Sequence, residues 1–491
     1  SMLSRKLGSE SMLTVCTAAA LIHTSVLMAF PEQVASGACR VYTSIAALSL
    51  LFGCCGKFSR LTRVAYNLRF LRSKTPKHIV LAIDNPEEAQ EIARGAVIGD
   101  TNLCYSAPVD FPGDFLELSK RPDRWETVAG KVMPWLLAAS GLVFIITWVT
   151  QKSFPAALTG FTMLTCVLAP LTLLLAGNLP MRNACKNLNA HGAMIAGYDS
   201  VAKFADTNGV LMDASDLFPA GTTQLFGLKV FNGMRIDEAI LYGAAVLCES
   251  GGPLANAFQQ VIEQRSEILP EVENLTYEDG LGLSGWVYDH RVLLGNREMM
   301  LHHDVEMPPA VIENKYLQND PDRRALYLTV AGKVSAMFIV GYSGSVKIAN
   351  MICELENNGI SLLLRTSDPN VTENMVSRYF DISPHSVKIL SSVGGLMYQE
   401  KFHTHRETAP AHMVHNGSLR AYIECVLTAV RLKEKINFSM VLQAFGIVLG
   451  FLLVSFFSIT AGMSQLGPFQ LLVYELFWAF VVMLISSLRR L

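Results

Sequence analysis

Six long apolar stretches punctuate the chain, near 13–30, 35–55, 132–150, 154–179, 438–459 and 468–488. Each approaches or exceeds the roughly 20 residues that a helix needs to cross a bilayer. They pair into three hairpins. Pro31-Glu32-Gln33 joins the first pair, Gln151-Lys152-Ser153 the second, and an uncharged turn around Thr460–Gly467 the third. The pattern predicts membrane hairpins at 11–55, 132–179 and 436–488, with polar segments between them.

The first polar segment, 56–131, holds one short strand-like run, His78–Ile83, and a helical stretch opened by Asn85-Pro86-Glu87-Glu88. The rest of it is rich in Pro and Asp. The second, 191–435, alternates apolar strands with helical patterns. Val210-Leu211-Met212 is an apolar run that ends on Asp213. Much later a helical pattern, Ile348–Asn358, is stopped by Gly359, and the strand Ile360–Leu364 leads into Arg365-Thr366-Ser367-Asp368. Two strands that each lead into an Asp, with a large block between them, indicate one parallel sheet carrying an inserted domain. The sheet halves are placed at 191–228 and 333–435 and the insert at 229–332. Ligands of open α/β sheets sit beyond the carboxyl ends of the strands. Asp213 is therefore either a nucleophile at such a mouth or a cap for the following turn.

Composition supports a membrane protein. The 491 residues are 51% hydrophobic and 17% charged, too apolar for an ordinary soluble chain. A net charge of −2 offers no general electrostatic attraction for nucleic acid. The ten cysteines form no CxxC and no zinc-like cluster, so no metal ligand set is assigned. Basic residues set the orientation. Arg5 and Lys6 precede the first span, and Lys57, Arg60, Arg63, Arg69, Arg72, Lys74 and Lys77 follow the second. Arg431, Lys433 and Lys435 precede the fifth, and Arg489-Arg490 follow the sixth. Because such residues stay inside, both termini and both polar segments are expected in the cytoplasm of a multi-pass protein.

Layout and short strings together resemble the P-type ATPases, nearest their heavy-metal-transporting branch. Ala169-Pro170-Leu171 falls where that branch has Cys-Pro-Cys, and His191–Ile195 matches its short Gly-containing strand. Asp213–Gly221 lies on the phosphorylation signature, and Ser250–Ala255 on the Ser-Glu-His-Pro-Leu-Ala string. Gly280-Leu281-Gly282 and Val292–Asn296 resemble the nucleotide domain's Gly-x-Gly and Val-Gly-Asn elements, and Thr366-Ser367-Asp368 resembles Thr-Gly-Asp. The resemblance implies a membrane domain of six transmembrane helices, a haloacid-dehalogenase-like phosphorylation domain, an inserted nucleotide-binding-like domain and a reduced actuator-like domain at 56–131. It implies Asp213, Thr366 and Asp368 as catalytic positions, and Gly280, Gly282, Gly295 and Asn296 as nucleotide-binding positions. Cys166, Pro170 and Glu475 are implied for the transport path, and ATP and Mg²⁺ as cofactors.

The departures fall on the chemistry. The Lys after the nucleophile is Ala214, and Ser215-Asp216-Leu217 replaces Thr-Gly-Thr. A carboxylate three residues from the acceptor opposes incoming phosphate. The magnesium motif becomes Val414–Arg420, with Asn416 at its hinge position and Arg420 at its end, whereas Mg²⁺ prefers carboxylate oxygen. Gly252 stands in place of the adenine-packing His. No Thr-Gly-Glu occurs in 56–131, where Ile98-Gly99-Asp100 is the nearest string. Ala169 and Leu171 cannot ligate a soft metal. Pro170 still breaks the fourth span. Cys166, one turn away, reads either as a ligand or as a small buried residue. Glu475 is an intramembrane carboxylate, a functional hypothesis by default. The leading expectation is a catalytically impaired pseudo-pump with a regulatory or scaffolding role and a protein partner in the bilayer. The alternative is an active cation pump that is phosphorylated on Asp213.

Overall fold

A computed structural model describes residues 8–35, 37, 39–93, 100–317, 320–402, 404–460 and 462–488. Ile98 and Gly99 of the nearest actuator-like string lie outside them, as do the terminal basic residues Arg5, Lys6, Arg489 and Arg490. Among the described residues, five helices are long and apolar enough to cross a membrane. The expected fourth span, 154–179, is not one helix. Phe154–Leu168 ends at Ala169, and a new helix runs Leu175–Ala190. Pro170 carries no amide N–H, so the regular ladder stops there.

Among the other spans, the second and the fifth differ most from the expected limits. The second helix begins at Thr43 and continues to Leu71, because a separate short helix occupies Pro31–Ala35. Arg40 is thereby left in the connector. The fifth is a single 41-residue helix, Leu419–Ile459, so it starts in the polar domain directly after Asn416-Gly417-Ser418. Small residues let these helices approach closely. A Cβ on Gly56 would sit 2.5 Å from Leu174 Cβ, and one on Gly177 2.5 Å from the Trp125 ring.

Among the described residues, the polar part contains fourteen strands. They are β1 His78–Ala82, β2 Leu103–Gly113, β3 Ala193–Ile195, β4 Gly209–Asp213, β5 Thr223–Val230, β6 Val272–Glu278 and β7 Gly282–Val287, followed by β8 His290–Gly295, β9 Arg323–Val330, β10 Lys333–Tyr342, β11 Ser361–Arg365, β12 Val387–Ile389, β13 Arg406–Pro410 and β14 Met413–His415. They form two sheets. The insert is antiparallel, in the order β5-β10-β9-β8-β7-β6. It starts at Thr223 and closes at Tyr342, so it takes in strands on both sides of the expected limits 229 and 332.

The second sheet runs β12-β11-β4-β2-β1-β14-β3, with β13 on the far part of β2. β12, β11 and β4 are parallel, and their residues Leu362, Leu363, Leu364, Val210, Leu211 and Met212 are buried. Such continuous apolar runs suit strands covered on both faces. The 56–131 segment contributes β1 and β2 to this same sheet. They stand between β4, which carries Asp213, and β14, which leads to Asn416. β2 pairs with β4 only at Leu103 and Cys104. Beyond that point the Tyr422 hydroxyl spans the gap, reaching the carbonyls of Cys104 (3.0 Å) and Leu211 (3.3 Å).

Candidate functional site

Asp213 ends β4 and serves as N-cap of the turn Ala214–Leu217. One of its oxygens accepts from the Ser215 N–H at 2.9 Å. The other accepts from Arg365 Nη1 at 2.9 Å. Parallel pairing sets Arg365 opposite Asp213 in β11, and both side chains are largely buried, 12% and 15% exposed. The second Arg365 nitrogen donates to the Ser250 carbonyl of the insert at 3.0 Å. A cation therefore does stand beside the acceptor position, which corrects the expectation from Ala214 and Asp216 that its surroundings are only repulsive. Sequence reading missed Arg365; the signal was its place one residue before Thr366, opposite Asp213 in a parallel pair.

Asp216 Oδ2 accepts from the Asp213 N–H at 3.3 Å. Its carboxyl is pushed up to about 6, by removal from water first and by Asp213 second. Tyr398 is buried beside both carboxylates, and burial pushes its phenol far up.

Thr366 and Asp368 lie next to Arg365, but both look inward. Thr366 Oγ1 accepts from the Asp368 N–H at 3.0 Å. Asp368 is 2% exposed. Its oxygens accept from the Tyr342 hydroxyl at 2.5 Å and the Asn370 N–H at 2.9 Å. Burial pushes its carboxyl up to about 6. Ser367 Oγ donates to the Gly251 carbonyl at 2.9 Å. Gly251 and Gly252 have φ of +72° and +94°, and a Cβ on Gly252 would stand 3.0 Å from Ser367 Oγ. The loop that aligns with the Ser-Glu-His-Pro-Leu-Ala string is thus packed on the Thr366–Asp368 loop.

The four insert positions come together for a structural reason. A Cβ on Gly282 would stand 2.4 Å from the Leu294 carbonyl oxygen and 2.5 Å from Gly295 Cα. Asn296 Nδ2 donates to the Gly280 carbonyl at 2.7 Å, and its Oδ1 accepts from the Met299 N–H at 3.0 Å. Asn296 therefore caps a helix and ties a turn.

The magnesium-motif region stands apart. β14 runs parallel to β4, because two antiparallel steps and one parallel step separate them. At ordinary strand spacing those three steps displace Asn416 from Asp213 by about 14 Å. Asn416 Oδ1 accepts from the Ser418 N–H (3.1 Å) and hydroxyl (2.8 Å). Arg420 faces His191 Nε2 at 2.8 Å. His415 Nδ1 accepts from the Gly417 N–H at 3.1 Å, so its Nε2 carries the proton toward Ser106 Oγ, 2.8 Å away. Burial, then His78, lowers His415 to about 3.

As placed here, these residues do not fit Mg²⁺. A magnesium ion needs free hard oxygens. Here Asp213 is held by Arg365, Asp368 by Tyr342 and Asn370, and Asn416 by Ser418. No group of three or more His, Cys, Asp or Glu able to hold a metal occurs among the described residues.

The residues that the resemblance implies for a transport path, Cys166, Pro170 and Glu475, all lie in the membrane domain. Cys166 faces Cys16 of the first helix, sulfur to sulfur 3.7 Å, both buried. Glu475, 3% exposed, accepts from the Leu171 N–H at 3.3 Å, directly after Pro170. It thereby answers one amide freed by the helix break.

No family model matches the chain. A copper-exporting P-type ATPase of Legionella pneumophila subsp. pneumophila (strain Philadelphia 1) is 25% identical over 255 residues, 51% of this chain and 34% of that protein. One from Staphylococcus aureus (strain Newman) is 21% identical over 268 residues, 54% of this chain and 33% of that protein. The matched stretch thus spans about a third of these relatives' length. A solved zinc-transporting PIB-type ATPase in the E2.Pi state aligns with 98% of this chain and 90% of that one, at 14% identity and a TM-score of 0.45. About half of the chain is thus similar in sequence to copper-exporting P-type ATPases.

Proposed function

We propose that this P-type-ATPase-like membrane protein has lost phosphoryl transfer and acts as a regulatory or scaffolding pseudo-pump, its polar domains and both termini in the cytoplasm. The observation that carries the reading is the insertion of β2 and β1 between β4 and β14. Phosphoryl transfer depends on positioning nucleophile, metal and charge around one phosphorus. A lateral offset of about 14 Å removes the metal-motif residues from that group. The Arg365–Asp213 ion pair adds a second obstacle, since it occupies a nucleophile oxygen.

The test is phosphorylation of the purified protein with radiolabelled ATP and Mg²⁺, beside Asp213→Asn. No label on either protein is expected. An acid-stable, hydroxylamine-sensitive label that Asp213→Asn abolishes overturns the proposal. It would establish the second reading, an active cation pump. That reading draws on one observation, the Arg365 guanidinium beside Asp213, which is where a phosphate's charge would need neutralising.

A further inference from the structure

The first helix, Ser9–Leu27, and the helix Phe154–Leu168 pack along one antiparallel seam. Two side-chain contacts define it. The Cys16 S–H is directed at Cys166 Sγ, 3.7 Å away. Seven positions later in the first helix and seven earlier in the other, the His23 ring meets Thr159 Oγ1 at 2.9 Å. The Thr159 proton goes to the Pro155 carbonyl at 2.7 Å, so His23 Nε2 donates to the threonine. A spacing of seven is about two helical turns, which puts both pairs on the facing surfaces. The His23–Thr159 bond thus holds the register in which the sulfurs meet. Cys16 is 1% exposed and Cys166 0%. The Cys166 carbonyl accepts from the Ala169 N–H at 3.1 Å, in the last turn before Pro170.

Two thiols in contact can act as attacking and resolving partners in one oxidation. A disulfide needs sulfurs about 2.05 Å apart. From 3.7 Å that is a further approach of about 1.7 Å, which a small rotation of each side chain can supply. Burial decides which oxidant reaches them. Exchange with a disulfide reagent passes through a mixed disulfide, and a seam this closed has no place for a tripeptide such as glutathione. Hydrogen peroxide is small and uncharged. One sulfur attacks a peroxide oxygen, the O–O bond breaks, and the released oxygen leaves with the thiol proton as water. The second sulfur attacks the sulfenic acid so formed, the S–O bond breaks, and the hydroxyl departs with the second thiol proton as a second water. The two thiols lose two electrons and the peroxide gains them. Burial slows the first attack, because the thiolate is the nucleophile. Contact acts on the second, capturing the sulfenic acid before it oxidises further.

We propose that Cys16 and Cys166 form a reversible disulfide under peroxide, which straps the first helix to the helix that ends before Pro170. Phosphorylation of Asp213 does not enter it, so it stands under either reading of the acceptor position. The test exposes the full chain in liposomes to hydrogen peroxide, blocks remaining thiols with N-ethylmaleimide, and analyses the digest by mass spectrometry. The expected product is a Cys16 peptide joined to a Cys166 peptide with the loss of two hydrogens, separated again by dithiothreitol. Glutathione disulfide at equal concentration should form it about tenfold more slowly or worse, since it cannot enter the seam. In detergent the oxidised protein should melt several degrees above the reduced one, because a cross-link restricts the unfolded chain. Cys16→Ser should abolish both the linked peptide and the shift. Cys54→Ser, which removes an exposed thiol, should leave both unchanged. The linked peptide is read on the unmodified chain, so the decision does not depend on a variant folding. Oxidation of the exposed Cys54 and Cys55 while Cys16 and Cys166 stay free thiols overturns the proposal. So does a sulfenic or sulfinic acid at either position without a link, or a link that glutathione disulfide forms equally fast.

Discussion

Arg365 holds Asp213 with one guanidinium nitrogen at 2.9 Å and the Ser250 carbonyl with the other at 3.0 Å. One side chain thus ties the acceptor position of the parallel sheet to the loop that opens the inserted domain. Removing it leaves a mostly buried carboxylate without its charge partner, which costs roughly 1–3 kcal/mol. Arg365→Met is therefore expected to lower the melting temperature by several degrees. Adding Asp213→Asn should recover most of the loss, because the orphaned charge is gone. A double-mutant cycle measures the coupling, and a coupling indistinguishable from zero rejects the clasp.

Asp368 gives a pH signature. Its folded value of about 6 lies above the roughly 3.9 of an unfolded aspartate. The folded state therefore binds this proton more tightly. The group's favourable contribution is complete below about pH 4 and is lost as pH rises to about 6. Asp368→Asn should remove that part of the slope in a melting-temperature series across this interval. An unaltered slope in the variant assigns the effect elsewhere. Asp216 is raised similarly, but its surface is more than a third exposed. Solvent screening reduces its weight in the same series.

The sequence disclosed the architecture unevenly, and the reason lies in the range of the interactions. Pro170 breaks its helix through its own ring, and Asp213 ends its strand beside residues next to it in the chain. Both were legible. The placement of β1 and β2 was not, because a strand's neighbours are chosen by long-range pairing. His78–Ile83 looks the same whether it belongs to a separate domain or to the sheet beside Asp213. Arg365 was passed over for a similar reason. Its partner is 152 positions away, and only the parallel register of β4 and β11 brings the two together. Gly282 and Gly295 were implied as nucleotide-binding positions by the resemblance alone, and the close approach of β7 to β8 gives both a packing role that their strings did not reveal.

That account separates two glycines. Gly282 has no room for a methyl group, since its Cβ would lie 2.4 Å from backbone oxygen. Gly280 has open space around its Cβ, with φ of +67°. Gly282→Ala is expected to unfold or loosen the insert, raising its sensitivity to limited proteolysis. Gly280→Ala should cost only about 1 kcal/mol of backbone strain. If both variants keep wild-type proteolysis while Gly282→Ala abolishes nucleotide binding, the glycines form a binding cradle and the packing explanation fails.

Glu475 accepts the amide of Leu171 immediately after the helix break, and this gives it a role that needs no transported ion. Glu475→Gln keeps a carbonyl oxygen at the same reach, so it should retain most of the stability. Glu475→Ala leaves a buried N–H unanswered where water is scarce, at a cost of roughly 1–3 kcal/mol. The expected order of thermal stability in detergent is wild type, then Gln, then Ala. A carboxylate kept for a permeating cation behaves differently: Gln and Ala would abolish liposome flux equally, and stability would be indifferent to either. Measuring both variants by melting and by flux therefore distinguishes a capping carboxylate from an ion-path ligand.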